Sequence, residues 1–225
     1  MQIRTLVISL VALSCINACS DGVLTFPEPH PATIRVVNVT QDVHQLSVLV
    51  DGQSTITALR GLPSVATSCP AGRPVGFVLK DSTTDLRDTV YYTLGGNATV
   101  MLFAYGSKGT VVEFRRAIQD TTLPVGSNPV IRFTHMAQNV DKYATLEVWV
   151  KGGQRLIAED FDPGLTSLAY TSLSPGTYSF ELREYQTTNV VAELNNVAIE
   201  PGRSYMLYSW DAAPPALDSI SLSIF

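Results

Sequence analysis

The sequence predicts an all-β protein built as two tandem immunoglobulin-like β-sandwich domains. Three observations carry that prediction. Pro129–Gly153, PVIRFTHMAQNVDKYATLEVWVKGG, echoes Ala32–Gly52, ATIRVVNVTQDVHQLSVLVDG, and such internal repeats decide the architecture before any single element does. Both copies are dominated by alternation of apolar and polar residues with period 2, the signature of half-buried strands. Turn signals such as Gly95-Gly96, Pro175-Gly176 and Pro201-Gly202 punctuate the strands, giving about seven short strands per copy, as sandwiches require.

Composition agrees with two folded units. The 225 residues suit two domains of about 100 residues each. A hydrophobic content of 45% against 16% charged residues excludes a disordered chain. The net charge of −5 argues against a nucleic-acid partner, which needs a basic face to neutralise phosphates. The same sign gives no help from electrostatic attraction to anionic lipid, so any membrane attachment must come from a covalent or hydrophobic anchor.

Taken in order, the chain opens with Arg4 and the apolar run Thr5–Leu13. That run is too short to span a bilayer and has the length of a signal-peptide core. Ile16-Asn17-Ala18-Cys19 resembles the lipobox of bacterial lipoproteins, with a branched apolar residue at −3, a small one at −1 and Cys at +1. The resemblance implies a lipoprotein signal peptide over 1–18, cleavage before Cys19, and acylation of its thiol and new amino terminus. Asn17 departs from the family's usual small or hydroxylated residue, and cleavage before Cys15 is the competing reading. Ser20 at +2 lacks the Asp of the inner-membrane retention rule, so the expected address is the outer membrane. Residues 19–31 form a tether, because three prolines in Pro27–Pro31 favour an extended spacer.

Repeat 1 is expected over 32–116, a linker over 117–128, and repeat 2 over 129–225. Ile34-Arg35-Val36 matches Ile131-Arg132-Phe133, and Leu46, Val48, Val50 and Gly52 match Leu146, Val148, Val150 and Gly152. Thr67-Ser68 matches Thr171-Ser172, while Phe77 and Leu79 match Phe180 and Leu182. The final SISLSIF, Ser219–Phe225, alternates as a closing sandwich strand. A membrane barrel would need strands of about 9–11 residues.

Arg132-Phe133-Thr134-His135, the Val-x-Val-x-Gly strand ends at Gly52 and Gly152, and Leu173-Ser174-Pro175-Gly176-Thr177-Tyr178 occur in one order. Together they resemble the domain of unknown function family 4397, met in tandem in bacterial secreted proteins and lipoproteins. The resemblance covers nearly all of Ala32–Phe225. Repeat 1 departs from it with Asn38 in place of the His and Arg73-Pro74 near the Tyr position. It implies fold and address but no reaction.

No catalytic set emerges, and the expectation is a non-enzymatic binding or structural module without cofactor. His30, His44 and His135 show no metal-binding spacing. The loop Asp81–Asp88 lacks the Gly and closing Glu of a calcium loop. His135 sits on the core-facing side of its strand, where Asn38 stands in repeat 1, so hydrogen bonding is its expected task. A ligand contact or a hydrolase site there is the alternative. Trp149 shares a strand face with Glu147 and Lys151, and fits interdomain packing, a binding patch or cover by a neighbouring element, in that order. Tyr208 and Trp210 share a second alternating face that could extend the same surface. His135, Trp149, Tyr208 and Trp210 are therefore the candidate binding residues. An envelope protein or a glycan is the expected partner beside the membrane. Cys69 reads as a small apolar residue at a strand end.

Overall fold

Among the described residues the alternation resolves into sixteen strands arranged as four four-stranded sheets, two per repeat. The structure is a computed structural model and describes residues 29–81, 89–106, 112–119, 127–137, 145–161, 166–167, 170–212 and 219–225. The signal segment, Cys15, Cys19, most of the tether, Asp85 and Asp88, and residues 120–126 of the linker lie outside the described residues. Among the described residues there is no helix.

Repeat 1 contributes β1 (Ala32–Asn38), β2 (Gln45–Val50), β3 (Ser54–Leu59), β4 (Thr67–Cys69), β5 (Pro74–Asp81), β6 (Thr89–Thr93), β7 (Thr99–Tyr105) and β8 (Glu113–Gln119). They form the sheets β4-β1-β7-β8 and β3-β2-β5-β6. Repeat 2 contributes β9 (Val130–His135), β10 (Leu146–Val150), β11 (Arg155–Phe161), β12 (Thr171–Ser172), β13 (Gly176–Glu184), β14 (Val190–Ile199), β15 (Ser204–Asp211) and β16 (Ile220–Ile224). Their sheets, β12-β9-β15-β16 and β11-β10-β13-β14, repeat the same order. β1 runs parallel to β7, and β9 to β15, while every other ladder is antiparallel. Among the described residues each repeat thus has eight strands where about seven were expected, one of them a very short edge strand, β4 or β12. β8 also reaches Gln119, so Ala117, Ile118 and Gln119 pair with Met101, Val100 and Thr99 instead of opening the linker.

Each pair of sheets encloses its own core. Ile34, Val36, Leu46, Val48, Phe77, Leu79 and Leu102 fill the first. Ile131, Phe133, Leu146, Val148, Phe180, Leu182 and Leu207 fill the second. Burial of each such side chain contributes about 1.5–3 kcal/mol. The edge of the first strand is sealed identically in both repeats. Ser64 Oγ accepts from Val36 N at 3.0 Å, and Ser167 Oγ accepts from Phe133 N at 3.0 Å. Arg35 and Arg132 then donate to the carbonyl oxygens of the same serines at 2.9 and 2.7 Å.

A third cluster joins the two repeats. The outer face of β1 and β7 presents Val37, Val39, Met101 and Phe103 to Met136, Met206 and Tyr208 from the β9–β15 side, with Tyr105, Trp210 and Phe225 at its margin. Phe103 and Tyr208 meet edge to face at 5.5 Å between ring centroids, a geometry that adds to the burial itself. Polar contacts close one end of this seam. Tyr208 Oη donates to the Gly61 carbonyl at 2.9 Å, and Arg60 Nη2 donates to the carbonyls of Asp211 and Ala212 at 3.1 and 3.0 Å. Gln41 Nε2 donates to Asp211 Oδ2 at 3.2 Å.

Candidate functional site

The duplication supplies an internal comparison. Val48 lies opposite Leu79 on β2 and β5, as Val148 lies opposite Leu182 on β10 and β13. The same registers therefore align Ser47, Leu49, Thr55, Val78 and Lys80 with Glu147, Trp149, Arg155, Glu181 and Arg183. Both sets point away from their cores, on the outer face of equivalent sheets. Repeat 1 has one charged residue there and repeat 2 has four.

The repeat 2 set is one connected cluster. Trp149 Nε1 donates to Glu147 Oε1 at 2.7 Å, and Arg155 Nη1 reaches Glu147 Oε2 at 3.3 Å. Arg183 stacks its guanidinium on the indole of Trp149, 4.3 Å from the ring centroid, a cation–π contact. Its Nε and Nη2 donate to Glu181 Oε2 at 2.9 and 2.5 Å. The carboxylates are the hidden partners: side-chain exposure is 2% for Glu147 and 8% for Glu181, against 42% for Arg155 and 18% for Arg183. Lys151 and Glu193 add a solvent-exposed pair beside the cluster. Its charges balance in sign, so the face is rich in donors and acceptors without a net field.

Such a cluster is not what a sheet needs. A buried ion pair often stabilises no more than apolar residues of equal volume. Repeat 1 builds the same ladder with Leu49 and Val78. The charges of repeat 2 are thus the part of the sheet that folding does not explain.

The other candidates occupy different places. His135 is fully buried at the inner end of β9, where its Nδ1 and Ser209 Oγ lie 2.8 Å apart across the β9–β15 ladder. Asn38 instead turns onto its own loop, donating to the Val43 carbonyl at 2.9 Å and accepting from Thr40 Oγ1 at 2.7 Å. The register explains the difference, because Ala104 occupies the place of Ser209 in repeat 1. Trp149 lies on a sheet remote from the seam, so its expected role in interdomain packing passes to Tyr208 and Trp210. Tyr208 is 1% exposed, and burial pushes its phenol up to about 12. Trp210 is half-buried, stacked by Arg60 at 5.5 Å and donating to Ser223 Oγ at 3.1 Å. These two side chains do not extend a surface with Trp149; they occupy the joint between repeats.

Sequence reasoning missed Arg155, Glu181 and Arg183, which come from strands distant in sequence and meet only through cross-strand pairing. Among the described residues no group of three or more His, Cys, Asp or Glu side chains is placed to hold a metal ion. Cys69 is buried, and burial pushes its thiol up to about 11, which keeps it protonated and unreactive.

Neither a family model nor a curated protein matches the chain. Solved structures with a likeness include a family 26 carbohydrate-binding module from Eubacterium rectale in complex with maltoheptaose, 12% identical at a TM-score of 0.27. The match covers 87% of this chain and 96% of that one. A proposed cell adhesion protein from Bacteroides fragilis is 10% identical at a TM-score of 0.22, covering 82% and 84%. At these TM-scores neither protein's ligand bears on this chain.

Proposed function

We propose that the chain is a lipid-anchored envelope protein of the domain of unknown function family 4397, without a reaction of its own. In this reading it binds a ligand through the outer face of β10 and β13. The observation that carries the reading is the Trp149 cluster, present in one repeat and replaced by neutral or apolar residues at all but one position of the other. The chemistry suits a neutral, hydroxyl-rich ligand such as an envelope glycan. An indole offers a flat apolar surface to sugar C–H groups, while the more exposed guanidinium groups of Arg155 and Arg183 offer bidentate bonds to vicinal hydroxyls. A balanced set of charges gives no advantage to a strongly anionic or cationic ligand.

Replacing Trp149 by alanine is expected to weaken retention of the protein in gels containing neutral envelope polysaccharide by about tenfold or more, about 1.4 kcal/mol. Retention should be nearly the same at low and high salt. Unchanged retention of the variant removes the face from consideration, and a steep salt dependence assigns a charged ligand. Cys19, the lipobox match and the proline-rich tether support a membrane-surface address in this reading. Metabolic labelling with a fatty acid is expected to mark the wild-type chain and not Cys19→Ala. Labelling that persists in the variant overturns the anchor.

A further inference from the structure

The last residues of the tether, Pro29, His30 and Pro31, lie across two turns of repeat 1. Residues 70–73 join β4 to β5, and residues 94–98 join β6 to β7. Gly72 N donates to the Leu94 carbonyl at 2.9 Å and ties the two turns together, while Thr33 N donates to the Ala98 carbonyl at 2.8 Å and ties β1 to the second.

Both turns meet the tether through glycine. A Cβ on Gly72 would stand 2.5 Å from Pro29 Cγ. A Cβ on Gly96 would stand 3.2 Å from the His30 carbonyl oxygen and 3.5 Å from Pro29 Cβ. Gly72 holds φ at +76°, so its backbone asks for glycine on its own account. The φ of Gly96 lies outside the left-handed region, and what glycine supplies there is room for the tether backbone. Repeat 2 does not keep that room. With Ile34 matched to Ile131, the pairs Thr33–Thr99 and Val130–Ser204 put Pro201 at the place of Gly96. The same sheets thus form without the seat, and repeat 1 carries it for its own tether.

Pro29 and Pro31 also line, with Cys69, Pro70 and Ala71, a cavity of about 520 Å³. Cys69 pairs with Ala32 and is only 2% exposed, although it borders this cavity.

We infer that Gly72 and Gly96 form a docking site for the chain's own tether, and that Pro29–Pro31 is a strap closing this end of repeat 1 over Cys69. Residues that read as the end of a spacer therefore belong to the folded module. Proline suits the strap, because its fixed φ leaves little freedom to lose on docking. Release need not unfold the sandwich, since the chain from Ala32 onward is held by the β1 ladders. In the lipid-anchored reading above, tension on the tether acts first on this seat; the seat itself does not rest on that reading.

The test uses the full chain with Cys15→Ser and Cys19→Ser, which leaves Cys69 as its sole thiol and makes the result independent of the anchor. Adding Pro29→Gly should speed maleimide labelling of Cys69 by about tenfold or more, with little change in the global free energy of unfolding. Gly96→Ala should also speed it, although alanine at an ordinary φ would otherwise leave a turn unchanged or more stable. Together the two should raise the rate by less than the product of their separate effects, because both release one strap. Unchanged labelling in either variant overturns the proposal. So does a rise that matches a loss of global stability, or a pair of effects that multiply as independent ones do.

Discussion

Replacing Gly61 by valine is expected to open the seam and destabilise the joined repeats by about 3 kcal/mol or more. Gly61 holds φ at +74°, and a Cβ there would stand 2.4 Å from Trp210 Cζ2 and 2.6 Å from Cη2. A contact under 3 Å cannot persist, so either the indole or the backbone must move. The backbone is held on both sides, since Gly61 N donates to the Asn38 carbonyl at 2.7 Å and Gly61 O accepts from Tyr208 Oη at 2.9 Å. The indole is held by Ser223 and by the Arg60 stack. Movement of either breaks the polar end of the seam. The effect reads out as a red shift of Trp210 and as loss of a single cooperative unfolding transition, each sandwich then melting separately. Gly52 provides the control. It has a similar φ of +71°, but nothing lies within 4 Å of its Cβ position, so Gly52→Val should show backbone strain alone, about 1–2 kcal/mol. Equal costs at the two glycines would mean that the seam does not depend on the close approach at Gly61.

The architecture was legible because a duplicated alternating pattern leaves few alternatives. Ile131, Phe133, Leu146, Val148, Phe180 and Leu182 all lie in the core their period assigns. The seam was less legible, although its trace is in the sequence. Val100–Tyr105 reads VMLFAY and Tyr205–Trp210 reads YMLYSW, nearly continuous apolar or aromatic runs that depart from alternation. A strand covered on both faces produces such a run. Reading Tyr208 and Trp210 as a surface pair overlooked Met206, which completes the second buried face.

The Trp149 cluster was invisible for a different reason. Its five residues span Glu147 to Arg183 and are collected only by the β10–β11 and β10–β13 registers. Nothing in local spacing marks Arg155 as a neighbour of Glu147. The comparison of repeats could have found it, because repeat 2 carries Trp149 and Glu181 at the paired cross-strand positions that repeat 1 fills with Leu49 and Val78.

One pair of variants on this face separates binding from folding. Arg183→Met removes both partners of the cluster at once: it strips Glu181 of its ion pair and Trp149 of its stacked guanidinium. Breaking a buried pair from one side costs about 3–5 kcal/mol, because the remaining charge stays desolvated. The single variant should therefore melt much earlier than wild type, still in one transition because the seam is intact. Adding Glu181→Val brings in the residue that repeat 1 carries as Val78, and removes the orphaned charge. The double variant should recover to within about 1 kcal/mol of wild type by denaturant unfolding, since an apolar pair of similar volume replaces the ionic one. Its polysaccharide retention should nevertheless remain lost, because the Arg183 guanidinium beside the Trp149 ring has gone. A double variant as unstable as the single would assign the cluster to the fold. Stability restored with retention abolished identifies the charges as the feature added to a sheet that already folded without them.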